Sequence, residues 1–166
     1  MRIHYYNTER GACVKQAVAK AILVVEPVMP NELVTPENAT TDLLMEIFER
    51  AFMEVVLDED GRGIRVNEDV RARVFLNEAS DRLQIGALYG IKDDAQRIDR
   101  LELANRINDR YAVIRAAIDD DGDLLFDYCI LLRGGVTKKA VVQTTRTFMT
   151  LVTRAVNECD EDEIVD

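Results

Sequence analysis

The stretch from Ile118 to Thr137 reads IDDDGDLLFDYCILLRGGVT, and it decides the fold of this 166-residue chain. An acidic Asp-Gly turn separates two apolar segments, which is the pattern of a tight β-hairpin. The second segment stops at Gly134-Gly135, where the backbone can change direction, and Thr137 is a natural N-cap for a helix. This stretch therefore predicts a hairpin, a buried strand and the start of a closing helix to about Glu158.

Apolar residues alternate with polar ones in the sequence before and within this hairpin. Such alternation predicts antiparallel strands with one face toward a core, three before residue 90 and two after residue 111. The inward residues are predicted to be Ile64 and Val66; Val70, Ala72, Val74 and Leu76; Leu83, Ile85, Ala87 and Tyr89; Ala112, Ile114, Ala116 and Ile118; and Leu124, Phe126, Tyr128, Ile130 and Leu132.

Helical spacing of apolar residues predicts the remaining elements. One helix is expected from near Thr41 to Leu57, and another is expected to be capped by Asp93 or Asp94 with Ile98, Leu101, Ala104 and Ile107 on its apolar stripe. The order helix, three strands, helix, two strands, helix predicts an α+β fold with an antiparallel five-stranded sheet flanked by helices.

The two ends of the chain are expected to lie outside this domain. Residues 1–38 are predicted to hold an extra helix, Thr8 to Val25, and a proline-containing linker. Residues 39–158 form the α+β domain, and residues 159–166 form an acidic tail that is predicted to fray. The N-terminal helix could pack on the domain or on a partner.

Composition limits the partners and the compartment. The formal charge is −10, from 31 acidic and 21 basic residues, which repels nucleic acid and anionic membranes. The three cysteines lack metal-ligand spacing and indicate no disulfide framework. The longest apolar run near the N-terminus, Ala21 to Val25, is too short for a signal or a membrane span. We therefore expect a cytoplasmic protein that does not bind nucleic acid or a membrane.

The strand residues that point away from the predicted core are also partly apolar. They include Phe75, Leu88, Leu125, Cys129 and Leu131. Helices on one side of the sheet would leave this second face exposed, and exposed apolar patches usually mark an association surface. A helix that covers the face is the alternative explanation.

Charged residues on the same face have two interpretations. Asp127 interrupts an apolar strand, so its carboxylate must reach water or a cation. We favour an ordinary sheet-face pair with Arg73 or Arg115 over a salt bridge to a partner. Arg71 and Arg73 share a strand face, with Arg65 beside them. Our first interpretation is that they are surface residues paired with acids, and the alternative is a patch that binds an anionic ligand.

With this element order, the chain resembles the YbjN-like family of bacterial sensory transduction regulators. The resemblance covers about Thr41 to Asn157 and rests on ELANRIN at Glu102 to Asn108, the acidic turn Asp119 to Asp123, and GGVT at Gly134 to Thr137. It implies a fold like that of type III secretion chaperones and a non-enzymatic protein that binds a protein partner or forms a dimer with itself. The family has no established catalytic residues to carry over.

The sequence predicts no catalytic, cofactor or metal site. The sole histidine, His4, precedes any regular element, which removes most triad and zinc schemes, although a carboxylate-only site remains an alternative. An EF-hand calcium loop needs oxygen ligands at fixed positions around a glycine at its sixth position. If Gly122 is that glycine, Ala117 occupies the first ligand position, and if Gly63 is that glycine, Arg62 occupies a ligand position, so neither turn fits. Solvated hairpin turns are therefore favoured.

The loop Gly134 to Lys139 reads GGVTKK and lacks P-loop spacing, so we interpret it as a structural turn rather than an anion site. The leading hypothesis is a cytoplasmic regulatory or chaperone-like binding module that forms a homodimer or docks a partner. Its candidate surface consists of Phe75, Leu88, Leu125, Asp127 and Leu131. The alternative is a sensor that binds a metal ion or a phosphate-containing ligand at the acidic turns or at GGVTKK.

Overall fold

The computed structural model describes residues 32–68 and 70–166, which form three helices and eight strands. The predicted N-terminal helix, Thr8 to Val25, lies outside these residues. In chain order the elements are β1 (Leu33–Val34), α1 (Thr41–Arg50), β2 (Glu54–Leu57), β3 (Gly63–Asn67), β4 (Arg71–Leu76), β5 (Arg82–Tyr89), α2 (Arg97–Arg110), β6 (Arg115–Ile118), β7 (Leu124–Leu131), β8 (Val136–Thr137) and α3 (Lys138–Cys159).

The main sheet has six strands in the order β2-β3-β4-β5-β7-β6, and every neighbouring pair is antiparallel. The predicted α+β class and antiparallel sheet are therefore confirmed, but the prediction of five strands is wrong. A separate two-stranded pair joins β1 to β8, with Leu33 opposite Thr137 and Val34 opposite Val136. The side chain of Val34 is fully buried.

The sixth strand, β2, comes from residues that were predicted to be helical. Helix α1 ends at Arg50, and Phe52 takes a left-handed conformation with φ of 60°. The chain then pairs with β3, with Val55 opposite Val66 and Val56 opposite Arg65. The segment FMEVVL fits either periodicity, but its adjacent β-branched valines and the following DEDGRG turn suit a hairpin better than a helix.

All three helices pack on one face of the sheet, which we call the inner face. The inward strand residues predicted from alternation are largely buried, and the core includes Ile64, Val66, Ala72, Val74, Leu83, Ile85, Ala87, Ile114, Ala116, Leu124, Phe126, Ile130 and Leu132. From α3, Val141, Phe148, Met149, Val152 and Ala155 join this core. Phe126 also meets Tyr89 edge to face, with ring centroids 5.8 Å apart.

Helix α2 differs from its prediction in both its cap and its buried stripe. Its N-cap is Gln96, without a side-chain cap hydrogen bond, rather than Asp93 or Asp94. The buried residues are Leu103, Ala104 and Ile107, whereas the predicted Ile98 and Leu101 are exposed. The stripe is displaced because only the C-terminal half of this helix lies over the core.

The last residues of the chain, predicted to fray, are packed against the domain. The carboxylate of Asp160 accepts hydrogen bonds from the backbone N–H groups of Ile164 and Val165. The carbonyl of Ile164 accepts from the N–H of Lys92, and the side chain of Ile164 is buried. Within the described ranges, no helix combines the length and apolar character that crossing a bilayer requires.

Two strand glycines give a matched test of the sheet packing. A Cβ at Gly63 would lie 2.9 Å from the Cβ of Phe75 and 3.0 Å from the carbonyl oxygen of Val74, whereas a Cβ at Gly86 would lie 3.6 Å from the nearest backbone oxygen. We expect Gly63→Ala to lower the free energy of unfolding by about 1–3 kcal/mol, as overpacking does. Gly86→Ala should be neutral or stabilising in the same urea titration. Equal effects of the two substitutions would contradict the register of β3 and β4.

Phe52 offers a second test, because its side chain is 97% exposed while its backbone is left-handed. Phe52→Gly and Phe52→Ala both remove the aromatic ring, but only glycine adopts this conformation without a Cβ penalty. We expect the glycine variant to be more stable than the alanine variant by about 1 kcal/mol in chemical denaturation. An alanine variant at least as stable as the glycine variant would show that the helix does not end as described.

Candidate functional site

The outer face is the side of the main sheet opposite the helices. It is built by the alternate residues of each strand, including Arg65, Arg71, Arg73, Phe75, Arg82, Gln84, Gly86, Leu88, Arg115, Ala117, Leu125, Asp127, Cys129 and Leu131. All five residues of the predicted candidate surface lie here. In the described part of the chain no helix covers this face, and Leu88 and Leu131 are 56% and 65% exposed.

A groove of about 700 Å³ crosses the outer face over β4, β5 and the start of β7. Its floor is apolar, with Phe75, Leu88 and Leu125 contributing side chains and Gly86 contributing none. Leu88 and Leu125 are direct neighbours across β5 and β7. Three arginines line the rim, namely Arg65, Arg71 and Arg73, and Asp119 also lines the groove. The site therefore combines an apolar floor with a mostly cationic rim.

Two of the rim arginines are held in place by carboxylates. Asp58, whose side chain is only 10% exposed, contacts the Nε of Arg65 at 3.1 Å and accepts a short hydrogen bond from the Nε of Arg73. Asp60 accepts from Nη2 of Arg73 at 2.9 Å. The backbone N–H of Arg62 and the charge of Arg73 lower the pKa of Asp60. This pairing with acids agrees with the interpretation of the sequence, and it fixes the orientation of Arg73.

Arg73 also contacts the apolar floor. The carbon of its guanidinium lies 5.1 Å from the ring centroid of Phe75, within the range of a cation–π contact. Arg71, two residues earlier on β4, is exposed on the same face. The rim therefore has an ordered part, Arg65 and Arg73, and a solvated part, Arg71.

Asp127 lies on the outer face, but it is paired within the sheet. It is directly opposite Arg115 across β6 and β7, and its carboxylate accepts hydrogen bonds from the Nε and Nη2 of Arg115. These contacts raise the pKa of Arg115. Asp127 therefore forms the cross-strand pair that the sequence favoured.

Leu131 belongs to the outer face but not to the groove. It lies at the C-terminal end of β7, opposite Arg82. It lies six positions along β7 from Leu125, which corresponds to about 20 Å. The predicted surface therefore consists of two apolar regions, the groove and the Leu131 end, rather than one continuous patch.

Sequence reasoning missed two residues that shape the groove. Gly86 leaves the floor open at the centre of β5, and its signal was an isolated glycine inside an alternating strand. Asp58 contacts two arginines on neighbouring strands, Arg65 and Arg73, and its signal was an acidic turn beside a strand. Neither signal specifies a groove without the register of β3 and β4.

The alternative sites proposed from the sequence have structural roles. In the acidic turn, the carboxylate of Asp119 accepts from the N–H groups of Asp121 and Asp123, and the carbonyl of Gly122 accepts from Arg100. At GGVTKK, both glycines have positive φ and Thr137 caps α3. Across residues 32–68 and 70–166, no group of three or more His, Cys, Asp or Glu side chains is arranged to hold a metal ion.

Comparison with known proteins identifies the family. The family model of YbjN, described as "Putative bacterial sensory transduction regulator", matches residues 40–161. The crystal structure of YbjN from E. coli superimposes with a TM-score of 0.64 at 16% identity, covering 77% of this chain and 96% of that chain. An uncharacterized protein from Methanothermobacter thermautotrophicus gives a TM-score of 0.51 at 12% identity, covering 74% of this chain and 97% of that chain.

A type III secretion chaperone has a weaker likeness. SycH of Yersinia pestis, in complex with a fragment of YscM2, gives a TM-score of 0.47 at 18% identity, covering 70% of this chain and 97% of that chain. Among proteins with curated descriptions, none matches this sequence. The two structures with TM-scores above 0.5 share the fold of this chain, and the family match extends over most of the sequence. The chain therefore belongs to the YbjN family.

Proposed function

We propose that this protein is a non-enzymatic regulatory or chaperone-like module of the bacterial cytoplasm that acts by binding protein. Membership of a family described as sensory transduction regulators supports a role carried out through partners. The observation that carries the proposal is the outer face of the sheet, where Leu88 and Leu131 are more than half exposed and no helix of the described chain covers them.

The exposed leucines have no evident role in the fold of the subunit. One face of an antiparallel sheet can be polar while the other packs on the core. Burying a leucine side chain completely stabilises a protein by about 1.5–3 kcal/mol. Leu88 and Leu131, which are 56% and 65% exposed, gain less than half of this in the isolated subunit. A surface that gains free energy when it is covered fits an interface.

The charged groups of this face support binding rather than catalysis. Asp58, Asp60 and Asp127 each contact an arginine of a neighbouring strand or turn. Carboxylates paired in this way serve to position the arginines of the face. The face therefore presents fixed charges around apolar side chains.

We place self-association at the Leu131 end of the outer face. Leu131 is the more exposed of the two leucines, and Cys129 beside it on the same face is also exposed. A homodimer formed here would leave the groove, about 20 Å away along β7, open to another protein. The proposal thus assigns the two apolar regions to two different contacts.

Light scattering coupled to size exclusion tests the dimer. At tens of micromolar we expect a mass near twice the 18.8 kDa of the chain. Leu131→Glu should shift the protein toward the monomer by weakening the dimer about 30-fold, since an interface anchor contributes about 2 kcal/mol. Leu88→Glu, the same change in the groove, should leave the dimer intact.

Both variants should unfold cooperatively near the wild-type temperature, because both side chains are on the surface. A wild-type chain that is monomeric at this concentration would count against the homodimer. A Leu131→Glu variant that remains dimeric would show that the dimer contact does not lie at Leu131.

A further inference from the structure

We infer that the groove on the outer face binds a segment of a partner protein that combines acidic and apolar side chains. This inference rests on the proposed function, since it assumes that the outer face docks protein. It adds the chemistry of the partner, which the apolar floor and the arginine rim specify together.

The rim is a local exception in an acidic protein. The chain carries a formal charge of −10, yet Arg65, Arg71 and Arg73 line this one groove beside Asp119. Asp58 and Asp60 contact Arg65 and Arg73, whereas Arg71 is exposed and belongs to no ion pair among the described residues. Arg65 and Arg73 are directly opposite each other on the neighbouring strands β3 and β4. Adjacent like charges are unfavourable on a sheet surface.

Asp58 and Asp60 reduce this repulsion without using all the donors of the arginines. A guanidinium has five N–H groups. The observed contacts of Arg73 use its Nε and Nη2, and the contact of Arg65 with Asp58 involves its Nε. Further donors on both side chains are available to a carboxylate of a ligand. Because Asp58 already orients both guanidiniums, a ligand would lose less side-chain entropy in binding them.

The dimensions of the floor suit a single peptide segment. The groove lies over β4, β5 and β7, three neighbouring strands that together span about 10 Å. An α-helix with side chains has a diameter of about 10–12 Å, and an extended strand is narrower. Leu88, Leu125 and Phe75 supply the apolar contact, and the absence of a side chain at Gly86 supplies the depth.

Other occupants fit less well. Two copies of the chain that faced each other through this groove would bring two arginine rims together, which disfavours a symmetric self-contact. A nucleic acid would meet the rim, but it would also meet the negative charge of the rest of the protein. A short acidic segment can reach the rim without approaching the remaining surface.

Selection from a phage-displayed library of random twelve-residue peptides, on the full-length protein, tests this inference. We expect the enriched peptides to combine Asp or Glu with Leu, Ile or Phe. A selected peptide, synthesised with a fluorescent label, should bind with an affinity that falls as the salt concentration rises.

Two substitutions address the two parts of the groove. Arg71→Glu reverses an exposed rim charge, and Gly86→Ile fills the floor at a position where a Cβ fits without a clash. We expect each to weaken peptide binding by about 10-fold or more, as loss of a charge-assisted contact or of the cavity should do. Arg133→Glu is the matched control, because Arg133 is exposed and pairs with Asp81 outside the groove. It should change the affinity by less than about 2-fold.

The outcomes separate this inference from the proposed function. If the enriched peptides lack acidic residues and bind the Leu88→Glu variant more weakly than the wild type, the inference is overturned, but protein binding on the outer face is supported. An empty selection, or peptides indifferent to Arg71→Glu and Gly86→Ile, would overturn the inference. If Gly86→Ile fails to fold, the exposed Arg71→Glu decides the result. If Arg71→Glu changes the oligomeric mass but not the peptide affinity, the groove is the contact between two copies of the chain. That result would also overturn the inference.

Discussion

Burial of one sheet face under three helices is the constraint on which the other features of this structure depend. The inner residues of β3, β4, β5 and β7 meet side chains from α1, α2 and α3, and the largest of them are fully buried. In the described chain this leaves the outer residues of the same strands without cover. Because successive side chains of a strand point to opposite faces, the residues between the core residues of each strand lie on the outer face. Arginines, aspartates and a few leucines occupy it.

Cross-strand charge pairs organise this outer face. Asp58 joins Arg65 and Arg73, and Asp127 joins Arg115. The pair of Asp127 with Arg115 lies at the surface, where such a pair contributes about 0–1 kcal/mol to stability. The consequence of these charge pairs is geometric, since they hold long side chains beside apolar ones and divide the face into a groove and the separate Leu131 end. The division follows from the register of the strands and supports two distinct contacts.

The sequence predicted the elements whose signals are local. Gly134-Gly135 and the Thr137 cap lie where expected, with positive φ at both glycines and a hydrogen bond from the N–H of Ala140 to the threonine hydroxyl. The prediction that the first helix reaches Leu57 was wrong beyond Arg50. The segment FMEVVL fits both periodicities, and its pairing with β3 makes it a strand. The predicted N-cap of α2 was also wrong. Asp93 and Asp94 are favourable capping residues, but they lie in the turn before the helix, which begins at Arg97.

The candidate surface was predictable as a face but not as a site. Alternation alone places Phe75, Leu88, Leu125, Asp127 and Leu131 on one side of the sheet. The groove needs Gly86 beside the directly opposed Leu88 and Leu125, and it needs Asp58 in contact with two arginines. These relations exist only after the strands are paired.

Thiol labelling of Cys129 gives the most direct test of the central claim that the outer face is open in the single subunit and covered by protein in the cell. Cys129 is an exposed thiol on this face, directly opposite Gln84. Its reaction with a maleimide, followed by mass spectrometry of the peptide that contains it, should be fast in dilute purified protein and markedly slower in intact bacteria. Equally fast labelling in both settings would contradict the claim, and slow labelling of the dilute monomer would show that the chain covers the face itself.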